Sequence, residues 1–284
     1  MPTARPSIPA FDAVASAYDT AFSETAVGRL LRARVRDLAI RQMAENRPGT
    51  VLELNCGTGE DALWLAQQGW QVLATDISPK MVAATNARAV SAGLGGRIRA
   101  EVCAIEEIAR FHPGPPPSAG QAFAAEGRGV GLIFSNFGGL NCLPPEALQS
   151  LATDLQVFTS GGASFIAVVM SRFCWWETLY FLLKGKPREA FRRLGKEPVN
   201  APLDDKTSVP TWYYSPAEFR RLMAHEQVRA ISVHPAGFWL PPSYLDPFFE
   251  KRPRLLRFLN FLEKNLTAPW MSSMADHFFV CIKT

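Results

Sequence analysis

Residues 51–81 read VLELNCGTGEDALWLAQQGWQVLATDISPKM, and this stretch decides the fold. Thr50 to Leu54 is a short apolar run suited to a strand buried on both faces. It enters the turn Asn55-Cys56-Gly57-Thr58-Gly59-Glu60, and Asp61 to Gln68 follows with helical spacing until Gly69 ends it. Gln71 to Asp76 is a second apolar strand, closed by a carboxylate 19 residues beyond Gly57. Glycines allow backbone to approach a ligand closely, and the carboxyl end of a strand beside a helix start is the ligand crevice of open α/β sheets. Nicotinamide dinucleotides use the same geometry. Cys56, however, stands where the first glycine of GxGxxG would be, and Glu53 adds a negative charge that would do nothing for a pyrophosphate. A carboxylate at Asp76 can accept two hydrogen bonds from a ribose diol.

Outward from this centre, strands and helices alternate. Pro79 to about Ala92 predicts a helix, Arg97 to Ala104 a strand, Glu106 to Phe111 a short helical piece, and Val130 to Ser135 a strand. Pro145 to Thr159 predicts a helix and Ala163 to Met170 a fifth strand. His112 to Gly129 is rich in Pro, Gly and Ala and reads as a surface insertion. Ser215-Pro216-Ala217-Glu218 opens a helix with a capping-box pattern; Val228 to His234 and His277 to Lys283 predict strands, and Tyr244 to Asn265 an interrupted helix. The expected fold is α/β: a Rossmann-like, seven-stranded, mostly parallel sheet with helices on both faces and an inserted cap. Within one domain over 1–284, residues 1–48 would be an N-terminal helical cover, 49–170 the cofactor-binding core, 171–214 the substrate cap, and 215–284 the completion of the sheet with a helical insertion.

The stretch Val51 to Met81 resembles the class I S-adenosylmethionine-dependent methyltransferases, in its glycine loop, its Asp76 and its DISPKM continuation. FDAVASAYD at Phe11 to Asp19 and IFSNFGGLN at Ile133 to Asn141 resemble them more weakly. The resemblance implies S-adenosyl-L-methionine as cofactor. It implies that Glu53, Asn55, Cys56, Gly57 and Gly59 line the methionine end, that Asp76 holds the ribose hydroxyls, and that Ile77 and Met81 pack on the nucleoside. Cys103, Ala104 and Ile105 would run along the adenine edge. Ala104 stands where many relatives carry an acidic residue, which leaves that contact to the Ile105 backbone. Ser135 and Asn136 would sit beside the sulfonium, and Tyr18 would cover the cofactor.

A sulfonium is already an activated electrophile, so the protein must align the nucleophile, exclude water and, where needed, take a proton. Among His112, His225, His234 and His277, His234 ends the sixth strand and is the candidate base, with Asn136 as a second catalytic candidate. Trp175, Trp176, Tyr180, Trp212, Tyr213 and Tyr214 are the candidate acceptor-binding residues. They predict an enclosed, largely aromatic cavity for a small hydrophobic or aromatic acceptor.

Composition bounds the alternatives. The chain has 284 residues, is 48% hydrophobic and 20% charged, and carries a net charge of +4, which argues for a large globular core and against a dedicated nucleic-acid binder. Ser135-Asn136-Phe137-Gly138 also lacks the two prolines of the [DNS]PP[FYW] pattern of base-amine methyltransferases. Lys184, Lys186, Arg188, Arg192, Arg193 and Lys196 cluster, either as a solvated face or as an anion- or membrane-facing patch, so peripheral membrane contact and a lipid-like acceptor stay open. Five cysteines without a CxxC pair argue against a disulfide framework or a zinc site and favour a reducing cytoplasm. No run reaches the roughly 18 apolar residues of a membrane span, and residues 1–10 lack the apolar core of a signal peptide. The remaining alternatives are a non-catalytic S-adenosylmethionine-binding protein and a nicotinamide dehydrogenase.

Overall fold

The computed structural model describes residues 8–15, 24–44, 48–111, 130–159, 162–204 and 206–283. The helices are α1 (Ile8–Val14), α2 (Ala26–Met43), α3 (Glu60–Gln67), α4 (Pro79–Ser91), α5 (Pro145–Thr159), α6 (Trp175–Leu183), α7 (Pro187–Ala190), α8 (Pro216–Met223), α9 (Asp246–Glu250) and α10 (Pro253–Asn265). The strands are β1 (Thr50–Leu54), β2 (Gln71–Asp76), β3 (Ile98–Val102), β4 (Val130–Ser135), β5 (Ser164–Met170), β6 (Val199–Pro202), β7 (Ser208–Thr211), β8 (Ala230–Ala236) and β9 (His277–Lys283).

Seven strands form one sheet in the order β3-β2-β1-β4-β5-β9-β8, and β9 alone runs antiparallel to its neighbours. The order reverses between β1 and β4. A crevice therefore opens at their carboxyl ends, where Leu54, Asp76 and Ser135 stop the strands. Side chains alternate between two cores. Along β9, Phe279 and Cys281 face Val35, Leu38 and Trp64 of α2 and α3, while Phe278, Val280 and Ile282 face Leu148, Leu151 and Phe219 of α5 and α8. All five residues of β1 are buried, as a central parallel strand covered on both faces requires.

The predicted elements of the core appear within a residue or two of their expected ends, and the Ser215–Glu218 capping box is present. The insertion 171–214 holds something the pattern did not announce: a hairpin of β6 and β7, with Val199 opposite Thr211 and Pro202 opposite Ser208. Its VNAP and SVPT strands each contain a proline, which is tolerated in an isolated two-stranded ribbon but masked the strand signal. The interrupted helix near the C-terminus resolves into α9 and α10, parted before Pro253. Residues 112–129 and Tyr18 lie outside the described residues. Among the described residues, no helix is long and apolar enough to cross a membrane.

A buried ion cluster pins the insertion to the sheet. Arg193 Nη2 donates to Glu177 Oε2 at 2.6 Å and to Asp276 Oδ1 at 2.9 Å, and His277 Nδ1 lies 3.1 Å from Asp276 Oδ2. Burial pushes the Asp276 carboxyl up, but His277 and Arg193 outweigh it and hold the group below its ordinary value of 3.8. A depressed carboxylate stabilises the fold above its unfolded pKa, and that contribution is lost as pH falls toward the folded value. Thermal unfolding should therefore show a Tm that drops below about pH 3.8 in the parent chain, with a flatter acid limb in Asp276→Asn. Arg193→Met leaves buried Asp276 with His277 alone and buried Glu177 with Arg192 alone, and should cost about 3–5 kcal/mol at neutral pH.

Candidate functional site

The turn after β1 departs from ordinary backbone because Asn55 (φ 51°), Gly57 (φ 55°) and Gly59 (φ 84°) all adopt left-handed conformations. Cys56 N donates to Thr75 O at 2.8 Å and Gly57 N to Asp76 Oδ2 at 2.9 Å, so the loop is strapped to the end of β2. The other oxygen of Asp76 accepts from Ser78 N at 2.9 Å. Burial pushes the Asp76 carboxyl above its usual range, and the two amides oppose that shift. Each carboxylate oxygen still has a lone pair to offer a ligand.

Opposite this loop, Ser135-Asn136-Phe137-Gly138-Gly139 forms a second strained turn, with Phe137 at φ 41° and Gly138 at φ 86°. Asn55 joins the two turns: its Nδ2 donates to Asn136 O at 2.7 Å, and Ser135 Oγ donates to its Oδ1 at 2.6 Å. Any side chain on Gly139 would collide with Asn55, since an added Cβ falls 2.6 Å from the Asn55 Cβ. Asn136 turns its own amide to Asp61 Oδ2 at 2.8 Å. Asp61 also pairs with Arg32 and with Arg36 at 3.1 Å, and although burial acts against it, these arginines keep its carboxyl ionised.

These turns wall two adjoining spaces. The larger, about 300 Å³, begins at Asp76, Ile77, Met81, Cys103, Ile105 and Glu106. It continues past Phe137, Gly138 and Gly139 to Cys142, Leu143 and Met170, and is closed by Ala201, Pro202, Leu203, Val209 and Thr211 of the hairpin. Phe11 of α1 also lines this cavity. α1 is tethered there by Asp12, which accepts from Ser78 Oγ and from Lys80 N at 3.2 Å. The smaller recess, about 40 Å³, is polar and lies among Arg32, Glu53, Asn55, Gly57, Asp61 and Asn136. That is the size of one ammonium or carboxylate head, since a liquid water takes about 30 Å³. Glu53 is buried there with Oε2 lacking a hydrogen-bond partner, and its burial, with Asp61 and Asp76 nearby, drives its carboxyl well above the usual range. An unpartnered buried carboxyl oxygen is costly and calls for a donor. The amino group of a methionine-like tail would supply one, so the recess fits the group the glycine loop implies.

The sequence-derived residues divide sharply. Asn55, Gly57, Asp76, Ile77, Met81 and Ile105 line the large cavity, and Glu53, Cys56 and Asn136 border the recess. Gly59 lines neither; it packs on α4, where an added Cβ would lie 2.8 Å from Thr85. Ala104 is half-buried off the lining, and Ser135 acts through Asn55. Asn136 donates its side-chain amide to Asp61 and accepts from Phe137 N of its own turn. His234 sits on the edge strand β8 beside Phe279, its pKa lowered by burial and then by Arg34 and Arg41, away from the cavity.

None of the six aromatic acceptor candidates lines the cavity, because each is consumed by packing. Trp175 and Trp176 stack at 4.4 Å and both donate to Phe238 O. Tyr180 packs on Phe181 and Tyr244. Tyr213 lies under the Arg193 guanidinium, and Tyr214, fully buried, donates its hydroxyl to Leu143 O. Trp212 packs against the α5–α8 core, while its backbone is held by Asn141. The cavity is thus aliphatic, with Phe11 and Phe137 the aromatic residues among its described lining, and the expected aromatic chamber is corrected. Sequence reasoning missed Glu106, Cys142, Leu143 and the hairpin. The Gly138-Gly139 pair was the one available signal, as a place where backbone must approach another chain closely.

Residues 51–115 match the family model described as a methyltransferase domain. A ribosomal RNA small subunit methyltransferase C from Alcanivorax borkumensis is 42% identical over 52 residues, 18% of this chain and 16% of that one, so the match spans about a sixth of that relative. Two solved structures share the fold. DhpI in complex with SAH superposes with TM-score 0.54 at 17% identity, over 96% of this chain and 93% of that one. A SAM-dependent methyltransferase from Methanosarcina mazei gives 0.52 at 15% identity, over 86% and 96%.

The close approach at Gly139 can be checked directly. Gly139→Ala should cost about 1–3 kcal/mol of stability in denaturant unfolding, as overpacking does. Gly96→Ala, where nothing lies within 4 Å, should stay within about 0.5 kcal/mol.

Proposed function

We propose that this chain, whose residues 51–115 form a methyltransferase-domain segment in a class I methyltransferase fold, is an S-adenosyl-L-methionine-dependent methyltransferase acting on a small, apolar acceptor. The observation that carries the reading is the single continuous space between the Asp76 carboxylate and the cap hairpin. In this reading the Asp76 end takes the nucleoside and the hairpin end the acceptor.

In this reading Asp76 binds the ribose diol, Ile77, Met81 and Ile105 sandwich the base, Glu53 takes the amino group, and Gly57 allows the tail to approach. The bound cofactor supplies an electrophilic methyl on a sulfonium. The protein's task is to place the acceptor's lone pair in line and to exclude water; orientation can supply several kcal/mol, up to about 7–11 in favourable cases. Phe137, Met170, Leu203 and Val209 would form the dry wall around the acceptor.

No lysine, arginine or histidine stands among the described lining residues of the cavity. An anionic acceptor would lose its hydration without gaining a partner, a cost of several kcal/mol. Burial pushes the Cys142 thiol up to about 12, so it stays protonated and cannot serve as base at neutral pH. Both facts favour an acceptor whose nucleophile carries a free lone pair, such as a neutral amine or a thioether, over a phosphate ester or a carboxylate. The cap, residues 171–214, would select the acceptor through its hairpin instead of its tryptophans. The acidic groups of the lining, Asp76 and Glu106, disfavour a nucleic-acid substrate. The five cysteines, none of them in a disulfide, suit a reducing cytoplasm.

Calorimetry with S-adenosylhomocysteine tests the cofactor half. Asp76→Ala should weaken binding about 10- to 100-fold, as expected for the ~1.5–3 kcal/mol of hydrogen bonds to a charged group; no binding by the parent chain would overturn the assignment. The acceptor half is separable. Ala201→Trp should fill the hairpin end, leave S-adenosylhomocysteine affinity within about twofold, and cut turnover of an apolar amine at least tenfold, since small misplacements cost up to about 100-fold. Faster turnover of matched carboxylates than of amines would refute the acceptor class.

A further inference from the structure

Helices α6 and α10 each bury a carboxylate and leave a second set of large apolar side chains exposed. On α6, Glu177 is buried against Arg193, while Leu179, Leu182 and Leu183 face outward at spacings of three and four, with Leu183 79% exposed. On α10, Glu263 is fully buried and accepts from Gly237 N at 2.9 Å and Trp239 N at 2.8 Å, whereas Phe258 and Phe261 are 56% and 58% exposed. The stripe that seats α10 is Leu256 and Leu259, packed with Leu31 of α2, so the exposed phenylalanines contribute nothing to the core. Between the two helices, Tyr244 touches Tyr180 at 5.9 Å, and Phe248, 50% exposed, leads into α10 under the Arg252 guanidinium.

The charge around this lobe is net positive. Residues 175–197 and 246–265 together hold eleven basic and six acidic residues; two of those acids, Glu177 and Glu263, and one of the bases, Arg193, are buried. The whole chain carries only +4, so its positive excess is concentrated here. Lys184, Lys186, Lys251, Arg254 and Arg257 are exposed beside the apolar stripes.

We propose that α6, α9 and α10 form a docking face for an anionic lipid bilayer, with Phe258, Phe261 and Leu183 entering the acyl boundary and the basic side chains meeting the headgroups. Exposed apolar groups rimmed by cations are what an interfacial helix needs, and neither half alone gives lasting attachment. A second copy of this chain would bring the same positive rim against itself, which charge complementarity opposes. The inference does not depend on the proposed activity, because its measurement reads membrane association alone.

The test is co-sedimentation of the full chain with vesicles of phosphatidylglycerol and phosphatidylcholine, or of phosphatidylcholine alone. Binding to the anionic vesicles should be at least tenfold tighter than to the neutral ones and should weaken in high salt. The double variants Phe258→Ser/Phe261→Ser and Lys251→Glu/Arg254→Glu should each lose at least tenfold. Unchanged circular dichroism and an unchanged Tm would verify their fold; since all four side chains are exposed, folded protein is expected. Equal binding to both vesicle types, or none to the anionic ones, overturns the proposal. So does sedimentation velocity showing a dimer that the phenylalanine variants dissociate, which would assign the face to self-association.

Discussion

The carboxylate of Asp76 sits between the amides of Gly57 and Ser78, and the geometry of the crevice follows from that pair of hydrogen bonds. The first strap fixes the loop after β1 to the end of β2. The second starts α4, whose Ser78 cap also receives the tether from Asp12 on α1. One buried side chain thus sets the floor, one wall and part of the cover of the cavity. It does so while directing its remaining lone pairs into the space a ligand would fill. Its burial makes the unliganded carboxyl easier to protonate, which a hydroxyl-bearing ligand would offset.

The second wall depends on Asn55. A left-handed asparagine bonded to Asn136 and Ser135 holds the two strained turns together, and Gly139 gives it room. Behind it, Asn141 accepts from Met170 N and donates to Trp212 O, so the root of the cap is anchored at the end of β5. The Arg193–Glu177–Asp276 cluster secures the cap from its other side. A buried ion pair of this kind adds little net stability, but losing one partner is severe, so it fixes where the cap sits more than how stable the fold is.

The same cluster bears on the outer surface. With Glu177 turned inward to Arg193, and Glu263 inward to the amides of Gly237 and Trp239, the leucines of α6 and the phenylalanines of α10 have no core left to enter. The apolar outer face is thus linked to the buried polar network.

The sequence alone determined the sheet and the Asp76 end of the cavity. Local pattern is enough where a strand is uniformly apolar, a glycine must take a positive φ, and a carboxylate closes the next strand: Val51 to Met81 meets each condition, and Asp76, Ile77 and Met81 lie where that pattern put them. The capping box at Ser215 was equally readable, since its partners are three residues apart. Only the tertiary structure decided the hairpin end of the cavity. Whether Trp175 faces a cavity or donates to Phe238 O depends on a residue 63 positions away, and aromatic composition cannot distinguish the two. The hairpin of β6 and β7 closes the cavity with Ala201, Val209 and Thr211, ordinary residues that become lining only because Asn141 seats the cap above Met170. His234 satisfied the local criteria for a base and failed the spatial one, because a strand's end has two faces and burial against α2 had already claimed this one.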